Sequence, residues 1–376
     1  MVKPAEAEQV TQAASSLLFP ELEFGIAPNG TYPSEDFQQV LTRIAFDNEF
    51  ANTGAKAYQL ARGDDISCTA TARNPLARAL LYHLRGLDAD AVDEQFDRVR
   101  EKILTAAARN RVFTRPVDIA IDVHDWLYYG DEDTPHVCTT NPAQGTDCAY
   151  KFVTACVVDP SVRFTLASVA IDGSDTDELA DALRQLISTV REYVEINRLY
   201  LDRGFYRVHL ALMLEDLGVE FLMRAPQTNK VQRFIDEHDS DTFVTTYEMA
   251  RSNPPTGRTT VRLVVVPHRS RDGDHFCLVT NRDLDVGTDV EIARPLAEAY
   301  RRRWGIETSY RKITEFLPKT SSPTFSVRLF YFLFAIALYN LWVLTNLIVT
   351  SDRAVRNDPV VPTALFRVFL GPIPYG

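Results

Sequence analysis

Residues 117–123 read VDIAIDV, 151–158 KFVTACVV and 162–171 VRFTLASVAI. Each is a β-rich apolar run bounded by turn residues, so three strands in succession are expected to open a sheet. Ser174 is placed to cap a long amphipathic helix in DTDELADALRQLISTVREYVEI (175–196). A strand RLYLD (198–202), a helix beginning near Phe205 and a strand VEFLMR (219–224) complete the series. The order is βββαβαβ, which sets the class as α/β.

That order is the one found in ribonuclease H-like cores, a mixed sheet flanked by helices. Outward from it, residues 226–290 break the rhythm with TFVTTYEMA, TTVRLVVVPH and HFCLVTN, the last two joined through an Asp272-Gly273 turn. They read as a β-rich insertion. From Ile292 the pattern returns to helix in ARPLAEAYRRRWGIETSYRKITEF, followed by an apolar helix from Phe325. On the other side, residues 34–115 are helical by their three- and four-residue apolar spacing, with NPLARALLYHL and VDEQFDRVREKIL forming a helix pair turned at Gly86. The expected organisation is therefore an all-α domain (1–115), the first part of the core (116–225), the insertion (226–290) and the second part of the core (291–376).

Composition narrows the function classes. Lys and Arg number 40 against 51 Asp and Glu, a net charge of −11, and only seven of the 40 are Lys. An acidic, Lys-poor surface suits either a high-salt cytoplasm or a plainly acidic protein. Overall charge alone argues against nucleic acid, because phosphate contacts need basic groups. The distribution reverses this locally: residues 73–115 hold nine basic residues (Arg73, Arg78, Arg85, Arg98, Arg100, Lys102, Arg109, Arg111, Arg115) against six acids. A DNA-binding helix pair and the solvated face of an ordinary bundle both fit.

The five cysteines show no CxxC spacing, so neither a disulfide framework nor a zinc finger is indicated, and His136 with Cys138 and Cys148 is only a weak metal candidate. The first ten residues, MVKPAEAEQV, lack the features of a signal peptide, so residence in the cytoplasm is expected. Leu329–Val349 is uncharged and long enough to span a bilayer, but Asn340, Thr345 and Asn346 interrupt it. A core helix packed on the sheet is expected, with no membrane partner.

Three acids stand in apolar neighbourhoods: Asp122 inside the first strand, Asp202 at the end of RLYLD, and Glu307 on the helix after the insertion. Buried carboxylates are costly unless paired or metal-bound, which marks them as site candidates. Asp125 competes with Asp122, and strand alternation puts the two on opposite faces. Asp, Asp and Glu form the all-oxygen set that Mg²⁺ (or Mn²⁺) prefers. Around Glu307 the sequence YRRRWGIETSYRK (300–312) carries Tyr300, Arg303, Glu307 and Arg311 at three- and four-residue spacing, a cationic helical stripe fit for phosphates beside a metal.

With Tyr300, Arg303 and Glu307 meeting a Y-x2-R-x3-E signature, LVTN (278–281) upstream and LYNLW (338–342) downstream, residues 117–350 resemble the cut-and-paste DDE transposases of insertion sequences, especially haloarchaeal members whose core is split by a β-rich insertion. The resemblance implies metal-dependent cleavage of double-stranded DNA at terminal inverted repeats and strand transfer into target DNA, by a homodimer in a synaptic complex. It implies Asp122 (favoured over Asp125), Asp202 and Glu307 as metal ligands. Tyr300 and Arg303 would clamp terminal phosphates, and Arg311 or Lys312 would add a phosphate contact. Two departures stand out: position 314, where the signature has Lys, is Thr, and the insertion has no Trp, leaving Phe234, Phe243, Tyr247 and Phe276 as its aromatics. An inactive or repurposed DNA-binding protein keeping the fold is the rival reading.

Overall fold

A computed structural model describes residues 4–64, 74–113, 116–159, 162–173, 175–253, 256–269, 273–287, 290–350 and 359–370. Ser174, Asp272, Arg73 and Arg115 lie outside the described residues. In chain order the elements are α1 (Pro4–Ser15), α2 (Ser34–Asp47), α3 (Ala51–Arg62), α4 (Pro75–Gly86), α5 (Ala89–Arg109), β1 (Val117–Tyr128), β2 (Cys138–Ala143), β3 (Thr146–Asp159), β4 (Val162–Ile171), α6 (Thr176–Arg191), β5 (Ile196–Leu201), α7 (Val208–Asp216), β6 (Phe221–Arg224), α8 (Asn229–Glu237), β7 (Phe243–Arg251), β8 (Gly257–Pro267), β9 (His275–Thr280), α9 (Val290–Arg301), α10 (Trp304–Glu315), α11 (Phe325–Val349) and α12 (Thr363–Leu370). They fall into two compact units, one of residues 1–112, 130–136 and 309–376, the other of 113–129 and 137–308.

The second unit is a mixed sheet. Its strands run β2-β3-β1-β5-β6-β9-β8-β7, with β4 also paired to β3. β1, β3 and β4 are antiparallel neighbours, while β1, β5 and β6 are parallel. This is the expected ribonuclease H-like arrangement. The cap of α6 is Asp175, whose side chain accepts from Asp177 N and Glu178 N at 3.0 and 2.9 Å. Two features differ from the sequence expectations. β2 went unanticipated because CTTNPA is polar and contains Pro, and it forms through pairing with β3. The strands of residues 226–290 do not stand apart as an insertion; β9 pairs with β6 and carries β8 and β7 as an extension of the same sheet.

The first unit is helical. α4 opens with Pro75 after Asn74, whose side chain accepts from Leu76 N at 2.9 Å, and α5 opens at Asp88, which accepts from Ala91 N at 2.7 Å. α11 is apolar on every side, and it packs against α1, α4 and α5. Phe330, fully buried, meets Phe96 and Phe24 with ring centroids 5.1 and 6.1 Å apart. Ser326 Oγ donates to the Leu84 carbonyl at 3.0 Å, and Trp342 Nε1 to the Val361 carbonyl at 2.8 Å. The sequence assigned this helix to the sheet, with 291–376 in the core. In the structure it belongs to the unit of the N-terminal helices, and the unit boundary falls between Thr308 and Ser309, inside α10. An all-round apolar helix says only that it is enclosed, and not by which layer. Among the described residues α11 is long and apolar enough to cross a membrane, and most of its residues are buried within the protein.

Candidate active site

Strand register brings the first two acids together. Ile121 of β1 pairs in parallel with Leu201 of β5, so Asp122 and Asp202 follow that pair at adjacent positions, one interstrand spacing of ~4.8 Å apart in the ladder direction. Ligand sites of α/β sheets favour such strand ends. Asp202 also caps the short turn after β5, accepting from Gly204 N at 2.7 Å. The third acid comes from the helices. The sequence reads residues 293–316 as one helix, but the structure breaks it between α9 and α10. Arg302 N reaches Ala299 O at 3.0 Å, Arg303 N reaches Tyr300 O at 2.9 Å and Gly305 N reaches Arg302 O at 2.7 Å, a run of tight three-residue bonds. Gly305 allows this junction to lie close to the sheet, since a Cβ there would meet Val158 Cγ1 at 3.2 Å. Glu307 therefore sits in the first turn of α10.

Arg303 ties the acids. Its Nη1 donates to Asp122 Oδ2 at 3.0 Å and its Nη2 to Glu307 Oε1 at 2.8 Å. Burial pushes the Asp122 carboxyl up to about 7, and the negative charges of Asp202 and Glu307 push the same way against Arg303 and the Val123 N–H. Asp202 and Glu307 thus both act on Asp122, and a single guanidinium joins Asp122 to Glu307. Asp125 is engaged elsewhere, accepting from the Thr140 hydroxyl of β2. His124, on the Asp122 face, is lowered to about 4 by burial and is neutral.

The remaining candidates separate. Tyr300 is not displayed toward a ligand as the sequence reading placed it: it is 4% exposed, and its hydroxyl donates to the Leu201 carbonyl at 2.9 Å. The break in the helix removes it from the stripe and turns it onto the sheet. Arg311 is exposed and makes no ion pair among the described residues, whereas Lys312 donates to Glu315 at 2.9 Å. Thr314 bonds its own helix through the Tyr310 carbonyl at 2.8 Å. In the helical unit three of the four basic residues of α5 are occupied: Arg98 by Glu21 and Glu23, Lys102 by Glu21, Arg100 by Asp97. On α4 the exposed Arg78 and Arg85 lack ion pairs among the described residues and flank Tyr82, which is 75% exposed. His136 stacks on Phe325 at 4.1 Å between ring centroids. The sequence reading missed Asp118, which accepts from Asn197, Tyr200 and Arg302 at 2.6, 2.7 and 3.1 Å. The signal was available: four residues before Asp122 in a strand is the same face.

Residues 116–341 match the transposase DDE domain family. The chain belongs to this family. It is a DNA transposase of the DDE class, with the metal-dependent cleavage and strand-transfer chemistry of that class. Among solved structures the transposase is similar to a cryo-EM structure of the piggyBac transposase synaptic complex with hairpin DNA, at TM-score 0.57 and 13% identity over 98% of this chain and 80% of that one. No curated protein matches it. Among the described residues no three His, Cys, Asp or Glu side chains form a ready metal cage. The donor chemistry nevertheless suits a hard divalent ion: the three side chains offer only carboxylate oxygens, burial and then the Asp202 and Glu307 charges raise Asp122 to about 7, and Arg303 is the cation between Asp122 and Glu307.

Proposed function

We propose that Asp122, Asp202 and Glu307 hold the divalent ions of this transposase, Mg²⁺ or Mn²⁺, and that it nicks at the inverted repeats of its element and joins the freed 3′-hydroxyl to target DNA. The observation carrying this is geometric: Asp122 and Asp202 directly follow a paired position of neighbouring parallel strands, and Arg303 links Asp122 to Glu307. When bound, the ions supply activation of the attacking water or hydroxyl and stabilisation of the leaving oxygen. Asp122 would have to give up its carboxyl proton to serve as a ligand. Arg303, which bonds both Asp122 and Glu307, would supply a half-buried guanidinium for the DNA phosphate beside them. Arg311 extends the cationic face along α10. Arg78, Tyr82 and Arg85, on one stripe of α4, are the surface for the element ends, and two copies pair the ends.

Nicking of duplex DNA bearing the sequences that bracket the gene should require Mg²⁺ or Mn²⁺ and vanish with EDTA. Folded protein that binds these ends but never nicks them in either metal would establish the rival reading of a repurposed DNA-binding protein.

The acidic, Lys-poor composition is that of a haloarchaeal cytoplasmic protein in this proposal. End binding should then persist or strengthen between ~0.5 and 2 M KCl, as salt first screens the acidic surface. A steady loss of affinity over that range, with circular dichroism unchanged, would reject the halophilic origin and leave the chemistry untouched.

A further inference from the structure

Asp118 and Asp122 lie on one face of β1, separated by ~13 Å of strand rise. Two consecutive residues, Arg302 and Arg303, reach them: Arg302 Nη1 donates to Asp118 at 3.1 Å and Arg303 Nη1 to Asp122 at 3.0 Å. Adjacent residues can span that separation only by sending their side chains in opposite directions along the strand. The α9–α10 junction is thereby spread across β1.

The two ends of the outer pair are unequal. Asp118 is 9% exposed and held by Asn197 Nδ2 and the Tyr200 hydroxyl, both from β5, so its carboxylate is fixed whether or not Arg302 is present. The Arg302 side chain is about half exposed and brings the helix junction to that fixed point. Tyr300 on the Leu201 carbonyl and Gly305 against Val158 hold the junction on either side. Among these, the Asp118–Arg302 contact is the charged one, and it is next to the arginine that grips Asp122 and Glu307.

We propose that Asp118 and Arg302 are a positioning pair that sets the α9–α10 junction on β1, seating Arg303 between Asp122 and Glu307 and placing Glu307 for metal binding. The proposal rests on the three-acid reading above.

The test uses the full-length protein with Arg302→Ala, Arg302→Lys, Asp118→Asn, the Arg302→Ala/Asp118→Asn double variant, and Asp122→Asn as reference. Mn²⁺ binding is followed directly by water proton relaxation, alongside Mn²⁺-dependent plasmid nicking and amide exchange at residues 302–306. Arg302→Ala should raise the Mn²⁺ midpoint roughly 10–100-fold, speed exchange at the junction, and leave Tm within about 3 °C. Arg302→Lys should restore most of the affinity, and the double variant should be no worse than the worse single one. An unchanged Mn²⁺ midpoint in Arg302→Ala, with binding lost in Asp122→Asn, overturns the pair alone. So does weakened plasmid binding at an unchanged midpoint, which would make Arg302 a phosphate contact. If Asp122→Asn also binds Mn²⁺ normally, the three-acid site falls and the pair with it.

Discussion

Asp122→Asn should abolish strand cleavage while making the metal-free protein more stable at alkaline pH. The loss of activity should be on the order of 10³-fold or more if Asp122 is the metal ligand proposed above. The gain in stability follows from the sign of the titration. In the folded chain the Asp122 carboxyl is raised from its ordinary 3.8 to about 7, first by burial and then by Asp202 and Glu307. The fold therefore holds this proton more tightly than the unfolded chain does. That contribution is fully present below about pH 4 and is lost as pH rises through 7, where ionising a side chain only 16% exposed costs up to ~4 kcal/mol. Asparagine cannot ionise. Urea denaturation in EDTA should show the variant ahead by ~2–4 kcal/mol at pH 8.5, with the difference shrinking to nothing toward pH 4. A variant that is the less stable of the two at pH 8.5 would disprove the burial argument.

Phe330→Ala should cost the helical unit ~3–5 kcal/mol. The ring is fully buried and meets Phe24, Phe96 and Phe334 from three directions, so its loss opens a cavity and breaks two edge or tilted aromatic contacts. Urea denaturation followed by far-ultraviolet circular dichroism measures it. The same result separates two fates of α11: a helix whose flank faced lipid would lose little by this truncation, so a cost below ~1 kcal/mol would contradict the packing described here.

Sequence was most informative where one residue's neighbours are its own strand or helix. The runs at 117–123, 151–158 and 162–171 became β1, β3 and β4 because apolar β-branched residues had to be enclosed, and α4 and α5 declared themselves through Asn74, Pro75 and Asp88. Asp122 and Asp202 were legible as isolated charges in such runs. What escaped was set by partners distant in sequence. β2 exists because β3 is beside it. The fate of Tyr300 depended on a helix break at Arg302–Arg303 that carries no proline and has its glycine only at position 305. Residues 226–290 were correctly rich in strands, yet nothing local indicated that β9 would find β6. The layer against which α11 packs was equally undetermined, since its sequence is apolar in every direction.

The three acids differ in what would have to open before each could move. β1 is zipped to β3 on one side and to β5 on the other, so Asp122 is released only by unmaking the middle of the sheet, and Asp202 follows directly on a strand flanked by two parallel neighbours. Glu307 hangs on the opening turn of a helix that begins at a break. Native proteins open locally at free energies from near zero at frayed ends to the full global value in central strands. Two of the three acids thus belong to the last part of the molecule to come apart, and the third to a part that can loosen alone; if the three form the proposed metal site, Glu307 is the member that can leave it while the sheet that carries the other two stays shut.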